Sequence, residues 1–475
     1  MAEKFNWSHT YKELPEVFWT EVDMMDAPEA EMVLFNKNLA AVLNLPENPD
    51  NYNDIFTGRG MDKPIALAYA GHQFGHFNML GDGRAALLGE HVTPSGERYD
   101  VHLKGTGRTE FSRNGDGLAA VGPMVREYII SEALHALGIP TNRTLGVMET
   151  GRAVVREKNL PGAVLARVAS SHIRVGTFEY AARLSKEHVQ TLADYTIERH
   201  YPKIKHSENK YELFLESVAH AQSYLISEWM GVGFIHGVMN TDNMTVSGES
   251  IDFGPCAFMN QYDQDTVYSS IDTEGRYRYR NQPAIGQWNL SKLAEALIPI
   301  LDDNEDEAVK KAEKVLGQYR DLYQAYWLKK MANKLGIIKL EENDVDVILE
   351  WLDILEENRA DYTSAFRNLT NNEISKLEFN TTERFSKWFE SWQSLLEGKE
   401  ATLDEAYTVM KAVNPAVIPR NHIVENAVSA AENGDYSQAE ALIEVLKYPY
   451  VDEHDEVYKN PPKPDEEITA TFCGT

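Results

Sequence analysis

Between residues 77 and 178 the chain concentrates its strand-forming sequence, and beyond that point it reads as helix almost to its end. The strand-rich part opens with "FNML", the turn "GDGR", "AALLGEHV", the turn "TPSGE" and "RYDVHLKG". Alternating apolar runs separated by glycine, proline and serine predict an antiparallel meander. A loop rich in Gly, Arg and Ser follows, "GTGRTEFSRNGDG". It leads into a helix at about 123–137, with Pro123 near its start and Gly138 just past its end. Two further strand-like runs, "TLGVMETG" and "RAVVRE", and the apolar "GAVLARVAS" complete this half. In "YELFLESVAHAQSYLISEWMG", Phe214, Val218, Ala221 and Leu225 share one helical face. That helix runs into "VGFIHGVMNTDNM", after which "MTV", "SGES" and "IDFG" read as a small hairpin.

From residue 288 several helices follow. "AAENGDYSQAEALIEVL" looks like one helical-repeat unit, without a second copy to make an array. The proline-rich "YKNPPKPDEEITATFCGT" reads as an irregular tail. The expected fold is therefore α+β. It divides into a strand-rich nucleotide-binding part over 1–178, a part carrying the catalytic loop over 179–287, and a helical extension and tail over 288–475.

A chain of 475 residues is too long for one compact core. Its net charge of −28 repels nucleic acid and anionic membrane, so neither is an expected partner. No apolar run approaches the roughly 18 residues of a membrane span. The opening "MAEKFNWSHTYKELPEVFWTEV" carries acids and aromatics where a secretory leader has basic then apolar residues, which predicts a cytoplasmic protein. In so acidic a chain a polyanionic ligand needs a concentrated basic pocket, so clustered Arg and Lys are informative. Only two cysteines are present, Cys256 and Cys473, which excludes a disulfide framework and a cysteine-rich zinc site.

Five features in order point to a nucleotide. Gly81 and Gly83 in "LGDGR" give a tight turn whose backbone N–H groups can approach phosphate, although Ala86 stands where a third glycine would complete a kinase loop. Lys104 ends a strand in which Val101 and Leu103 alternate with His102, so it points away from the core side. Glu127, in the middle of the next helix, is placed to pair with it. Asn243 and Asp252 match the catalytic-loop asparagine and the DFG aspartate that hold metal in protein kinases, "IDFG" containing that motif literally. Arg84, Arg108, Arg113, Arg167 and Arg174 form the local basic group, guanidinium forks being suited to phosphate oxygens. Together they predict a kinase-like two-lobe fold that binds nucleotide. The loop "HGVMNTDN" departs from a kinase in one respect. Val238 stands at the third position, where a kinase has its proton-accepting aspartate, and the loop's only carboxylate is Asp242.

"GHQFGHFNMLGDGRAALLGE", "LKGTGRTEFSRNGDG", "REYIISEALHALGIPTNRTL", "HGVMNTDNM", "IDFGP" and "NPAVIPRNHIVENA" together resemble the SelO (YdiU) family over nearly the whole chain. The resemblance implies a kinase-like protein adenylyltransferase that binds ATP reversed. It moves AMP to Ser, Thr or Tyr hydroxyls of proteins, releases pyrophosphate, and also transfers UMP from UTP with manganese. It places nucleotide contacts on Gly81, Gly83, Arg84, Lys104, Asp116, Gly117, Arg167, Arg174 and Asp252, the proton acceptor on Asp242, Mg²⁺ or Mn²⁺ on Asn243 and Asp252, and the lysine's partner on Glu127. Leu118 departs from the family, which often has Arg after "GDG". Cys473 lies near the place where animal members carry selenocysteine, and pairing of Cys256 with Cys473 would tie the tail across the segment after Asp252. Self-modification belongs to the same reading. A phosphotransferase and a non-catalytic ATP-binding scaffold are the alternatives; Val238, which cannot accept a proton, counts against the first.

Overall fold

The structure, a computed structural model, describes residues 5–58 and 62–472. It is α+β. Its strands are β1 (Trp7–Ser8), β2 (Trp19–Glu21), β3 (Glu31–Phe35), β4 (Ile65–Leu67), β5 (Ala70–Gln73), β6 (His76–Met79), β7 (Ala85–Val92), β8 (Arg98–Lys104), β9 (Arg143–Val155) and β10 (Asn159–Ala169), with a short pair, β11 (Phe234–Ile235) and β12 (Ala257–Phe258), further on. Among the described residues the main sheet runs β2-β4-β7-β8-β10-β9-β3, with β1 added beside β7. Every pairing in it is antiparallel.

Three local readings change. The "FNML" run does not continue the meander. As β6 it pairs with β5 in a separate hairpin, Ala70 opposite Met79 and Gln73 opposite His76. The runs "TLGVMETG" and "RAVVRE" form the single strand β9, which passes through Gly151 at φ +71°. The segment 244–252 is no strand hairpin; it makes isolated bridges, Met244 to Ser250 and Arg174 to Thr245, and Ile235 pairs instead with Ala257 beyond the DFG sequence.

The predicted helix spans Val121–Ala136 and ends before Gly138, whose φ of +79° suits a residue without Cβ. Its Met124, Val125, Tyr128, Ile129 and Ala133 are buried, and they share a core with Val424, Ala427, Leu442 and Ile443. The helices Asn421–Ala431 and Ser437–Leu446 therefore pack back on the strand-rich part. Arg126, beside Glu127 on this helix, is buried and ion-paired to Glu425. The Lys210–Val232 helix ends on left-handed Gly233 and packs on the Gln282–Leu301 and Glu305–Lys334 helices, which delivers the chain to residues 234–243. Among the described residues no helix is long and apolar enough to cross a membrane.

Candidate active site

The site forms where the C-terminal end of β8 meets the Val121–Ala136 helix and the 240–252 segment. Register places Lys104 opposite Ala85 and Leu165, at the inner end of the sheet. Lys104 is only 8% exposed, and its Nζ lies 2.5 Å from Glu127 Oε2 and 3.2 Å from Asp252 Oδ1. The face of β8 turned away from Val101 and Leu103 thus points into a charged interior rather than into solvent.

Asp252 is the hub. Its Oδ1 also accepts from Arg167 Nη1 at 2.6 Å and its Oδ2 from Arg174 Nη1 at 2.7 Å. Burial opposes ionisation, yet Arg167, Arg174 and Lys104 together hold this carboxyl well below the usual range. Asp252 has a φ of 61°, a conformation costly for a residue with Cβ, and these bonds fix it there.

Behind Arg167 a chain of bonds reaches the glycine turn. Arg167 Nη2 donates to His102 Nδ1 at 2.8 Å, His102 Nε2 donates to Asp82 Oδ2 at 2.8 Å, and Leu67 N donates to the same oxygen at 3.1 Å. Burial pushes the His102 imidazolium down, and a neutral ring protonated on Nε2 satisfies both bonds. Asp82, between Gly81 and Gly83, is therefore turned inward and anchors the turn. A Cβ on Gly81 would lie 2.3 Å from the Phe111 ring, so the turn and the 109–112 loop fit closely only with glycine there. Thr109 Oγ1 donates to Asp82 O at 2.6 Å and Ser112 Oγ to Gly83 O at 2.5 Å. Arg84 closes the turn half-buried.

Asp242 is 7% exposed, and its Oδ1 is buried without a partner. Burial pushes its carboxyl up to about 6, with Arg174 opposing and Asp252 reinforcing the rise. Arg174 Nη1 donates to the Asp242 backbone oxygen at 2.5 Å as well as to Asp252. Asn243 uses its amide nitrogen on Val238 O at 2.9 Å, which leaves the oxygen as the acceptor end. The Met244–Ser250 bridge closes this segment, with Asn243 and Asp252 flanking it. A side-chain amide oxygen and a carboxylate are hard donors of the kind that would suit Mg²⁺ or Mn²⁺. No group of three or more His, Cys, Asp or Glu gathers as a metal nest among the described residues.

Lys104, Glu127, Arg167, Arg174, Asp242 and Asp252 are thus brought together. Asp116 makes other contacts: it is ion-paired to Arg156 of β9–β10 at 2.8 Å, which also donates to Leu118 O at 3.1 Å. Gly117 packs on Gly107, whose N donates to Gly117 O at 3.0 Å. Arg108 Nη2 donates to Arg113 O at 3.2 Å. Cys256 is buried, and Cys473 lies outside the described residues. Just before Cys473, Thr471 is fixed to the segment after Asp252: its Oγ1 donates to Pro255 O at 2.5 Å and its N to Tyr268 O at 2.7 Å.

Several residues around the site escaped the sequence reading: Gly71, His72, Gln73, Arg156, Glu179 and Thr241. The signal for the first three is the "GHQFGH" stretch, where polar residues between glycines have no turn to explain them.

A family model described as "Protein adenylyltransferase SelO" matches residues 2–447. Similar proteins include the "Protein nucleotidyltransferase YdiU" of Bacillus cereus (strain AH820), 52% identical over 482 residues and covering 99% of this chain and 98% of the relative. The proteins of the same name from Bacillus anthracis (strain A0248) and Bacillus thuringiensis subsp. konkukian (strain 97-27) are also 52% identical, with the same coverage.

Proposed function

The chain belongs to the SelO protein adenylyltransferase family, and from that membership we propose that it moves AMP from ATP to Ser, Thr or Tyr hydroxyls of proteins, itself included, with pyrophosphate leaving. It is a protein nucleotidyltransferase; the choice of AMP, the use of UTP for UMP transfer and the metal are the finer parts of the proposal. The observation that carries it is the pairing of a buried, unpartnered Asp242 oxygen with an Asp252 held by three cations.

The chain's residues divide the work. Asp242 accepts the proton of the attacking hydroxyl, a role that suits a carboxyl raised to about 6. Lys104, Arg167 and Arg174 supply the positive charge that the phosphates need against a whole-chain charge of −28. Glu127 keeps the Lys104 ammonium aimed inward, and the turn at Gly81 and Gly83 offers backbone N–H groups. Asn243 and Asp252 would hold Mg²⁺ or Mn²⁺, which supplies charge neutralisation to the leaving pyrophosphate. A lysine paired to a helix glutamate beside a DFG aspartate supports a kinase-like arrangement, and the three-part division at residues 178 and 287 belongs to the same proposal. Gly117, Asp116 and Arg84 belong to the same nucleotide surface in this reading.

Incubation with ATP labelled at the α or the γ phosphorus, a protein acceptor and Mg²⁺ tests the proposal. Acceptor label from the α position only is expected. Label from γ only would replace it with phosphotransfer, and ATP binding without either label would leave a scaffold.

A further inference from the structure

We propose that Glu179 is a positioning residue for Asp242, acting through Thr241 and His72; this rests on the transfer reading above. The Val175–Leu184 helix begins immediately after Arg174 and carries Glu179. Glu179 is 6% exposed and uses both carboxylate oxygens. Oε2 accepts from Thr241 Oγ1, and Oε1 is bonded to His72 Nδ1. Thr241 Oγ1 in turn accepts from His72 N at 2.7 Å, which closes a ring of three residues. One short helix therefore grips the Asp242 peptide from both sides, through Arg174 on the Asp242 backbone oxygen and through Glu179 on the residue before it.

The β5–β6 hairpin is the third wall. A Cβ on Gly71 would lie 2.3 Å from Asp242 Oδ1, so the strand backbone rests directly on the carboxylate. Gln73 Nε2 reaches Asp242 Oδ2 at 3.5 Å. Phe74, at φ 51°, donates from its N to Asn240 Oδ1 at 3.1 Å, and Tyr277 OH donates to the same oxygen at 2.7 Å. Asp242 has a single carboxylate oxygen without a partner, and every neighbouring peptide is tied down. That is the geometry by which a proton acceptor is held to within a fraction of an ångström of its working position. The "GHQFGH" stretch, which binds no phosphate in the nucleotide reading, is accounted for as the floor beneath Asp242.

Thr241→Val and Thr241→Ser separate positioning from space filling, because Val keeps the volume and loses the hydroxyl while Ser does the reverse. Three quantities are measured: α-label transfer rates with the ATP KM, amide hydrogen exchange over residues 238–246, and thermal unfolding. Thr241→Val and Glu179→Gln are expected to lose about 10-fold or more in kcat with the ATP KM within about 2-fold, and Thr241→Ser to stay within about 3-fold of the parent. Exchange over 238–246 is expected to be about 10-fold faster in Thr241→Val than in Thr241→Ser. Equal losses in Val and Ser, or parental turnover in Val, would overturn the proposal. Should the parent chain transfer no α-label, the transfer reading fails by itself. Exchange then decides the positioning role, and equal exchange in the two threonine variants overturns it.

Discussion

Arg174 and Asp252 are joined at 2.7 Å through Nη1, and the same nitrogen donates to the backbone oxygen of Asp242 at 2.5 Å. One guanidinium nitrogen therefore sets the distance between the Asp252 carboxylate and the Asp242 backbone, the two groups that the proposed reaction assigns to metal and to proton acceptance. A lysine in its place would keep the charge on a shorter, more flexible stem that does not carry its nitrogen to the Nη1 position between the two oxygens. Arg174→Lys is expected to lower α-label transfer about 100-fold, in the range of removing one preorganised donor, as measured by steady-state kinetics.

In the proposed reaction Asp242→Asn removes the proton acceptor without changing its shape. Transfer is expected to fall about 10²–10⁴-fold while ATP binding, measured by calorimetry, persists. The same change has an opposite effect on stability. Burial raises the Asp242 carboxyl in the fold to about 6, so its contribution is intact below the unfolded value near 4 and is lost as pH rises through 6. Metal-free Asp242→Asn should therefore be more stable than the parent at pH 8, by ~2–3 kcal/mol, and equal to it at pH 4, as read from urea titrations.

Gly71→Ala tests the floor of the site. The added methyl meets Asp242 Oδ1 at 2.3 Å and its Cβ and Cγ at 2.8 Å, so the acid must shift. A displacement of that kind is expected to cost about 10–100-fold in transfer rate with ATP affinity retained.

His172 is buried on Asp100 at 3.1 Å and stacked on His102. Burial, then the neighbouring His102, pushes it down to about 3. A depressed histidine contributes stability that is present above about 6.5 and lost as pH falls toward 3. Unfolding free energy should drop by up to ~1.4 kcal/mol per pH unit through this window, and His172→Asn should flatten the slope in denaturant titrations at pH 7, 6, 5 and 4.

Glu425 pairs with buried Arg126 across two distant parts of the chain. Glu425→Gln leaves that guanidinium with a weaker acceptor. A loss of ~2 kcal/mol is expected, seen as a lower unfolding midpoint in calorimetry.

Much of this arrangement was legible because its parts follow one another along the chain in the right elements. Lys104 ends a strand, Glu127 sits in the middle of the next helix, and "IDFG" follows a loop asparagine. The supports were not legible. Thr241 and Glu179 are 62 residues apart and Thr241 and His72 are 169 apart, so no local period links them. "MTV" and "IDF" carry strand-like apolar residues, but Asp252 turns left-handed and aims its carboxylate at Lys104, which prevents the strands from forming. The "FNML" run left the meander because Leu67 and Asp82 close the chain at the end of β4: Asp82 N donates to Leu67 O at 2.9 Å, which turns β6 away from β7. The partner of Asp116 was not legible either: Arg156, forty residues later, donates to both of its oxygens.

The helix that carries Glu127 buries one flank against residues 421–446, roughly 300 residues downstream. A ribosome adding about 5–20 residues per second needs on the order of 15–60 s to make that stretch. Throughout that interval Val125, Ile129 and their neighbours wait in a nascent chain without their cover. The helix that carries Glu127 thus gains its full cover only after residues 421–446 are made, and a chain interrupted before them would present a sticky helix to chaperones.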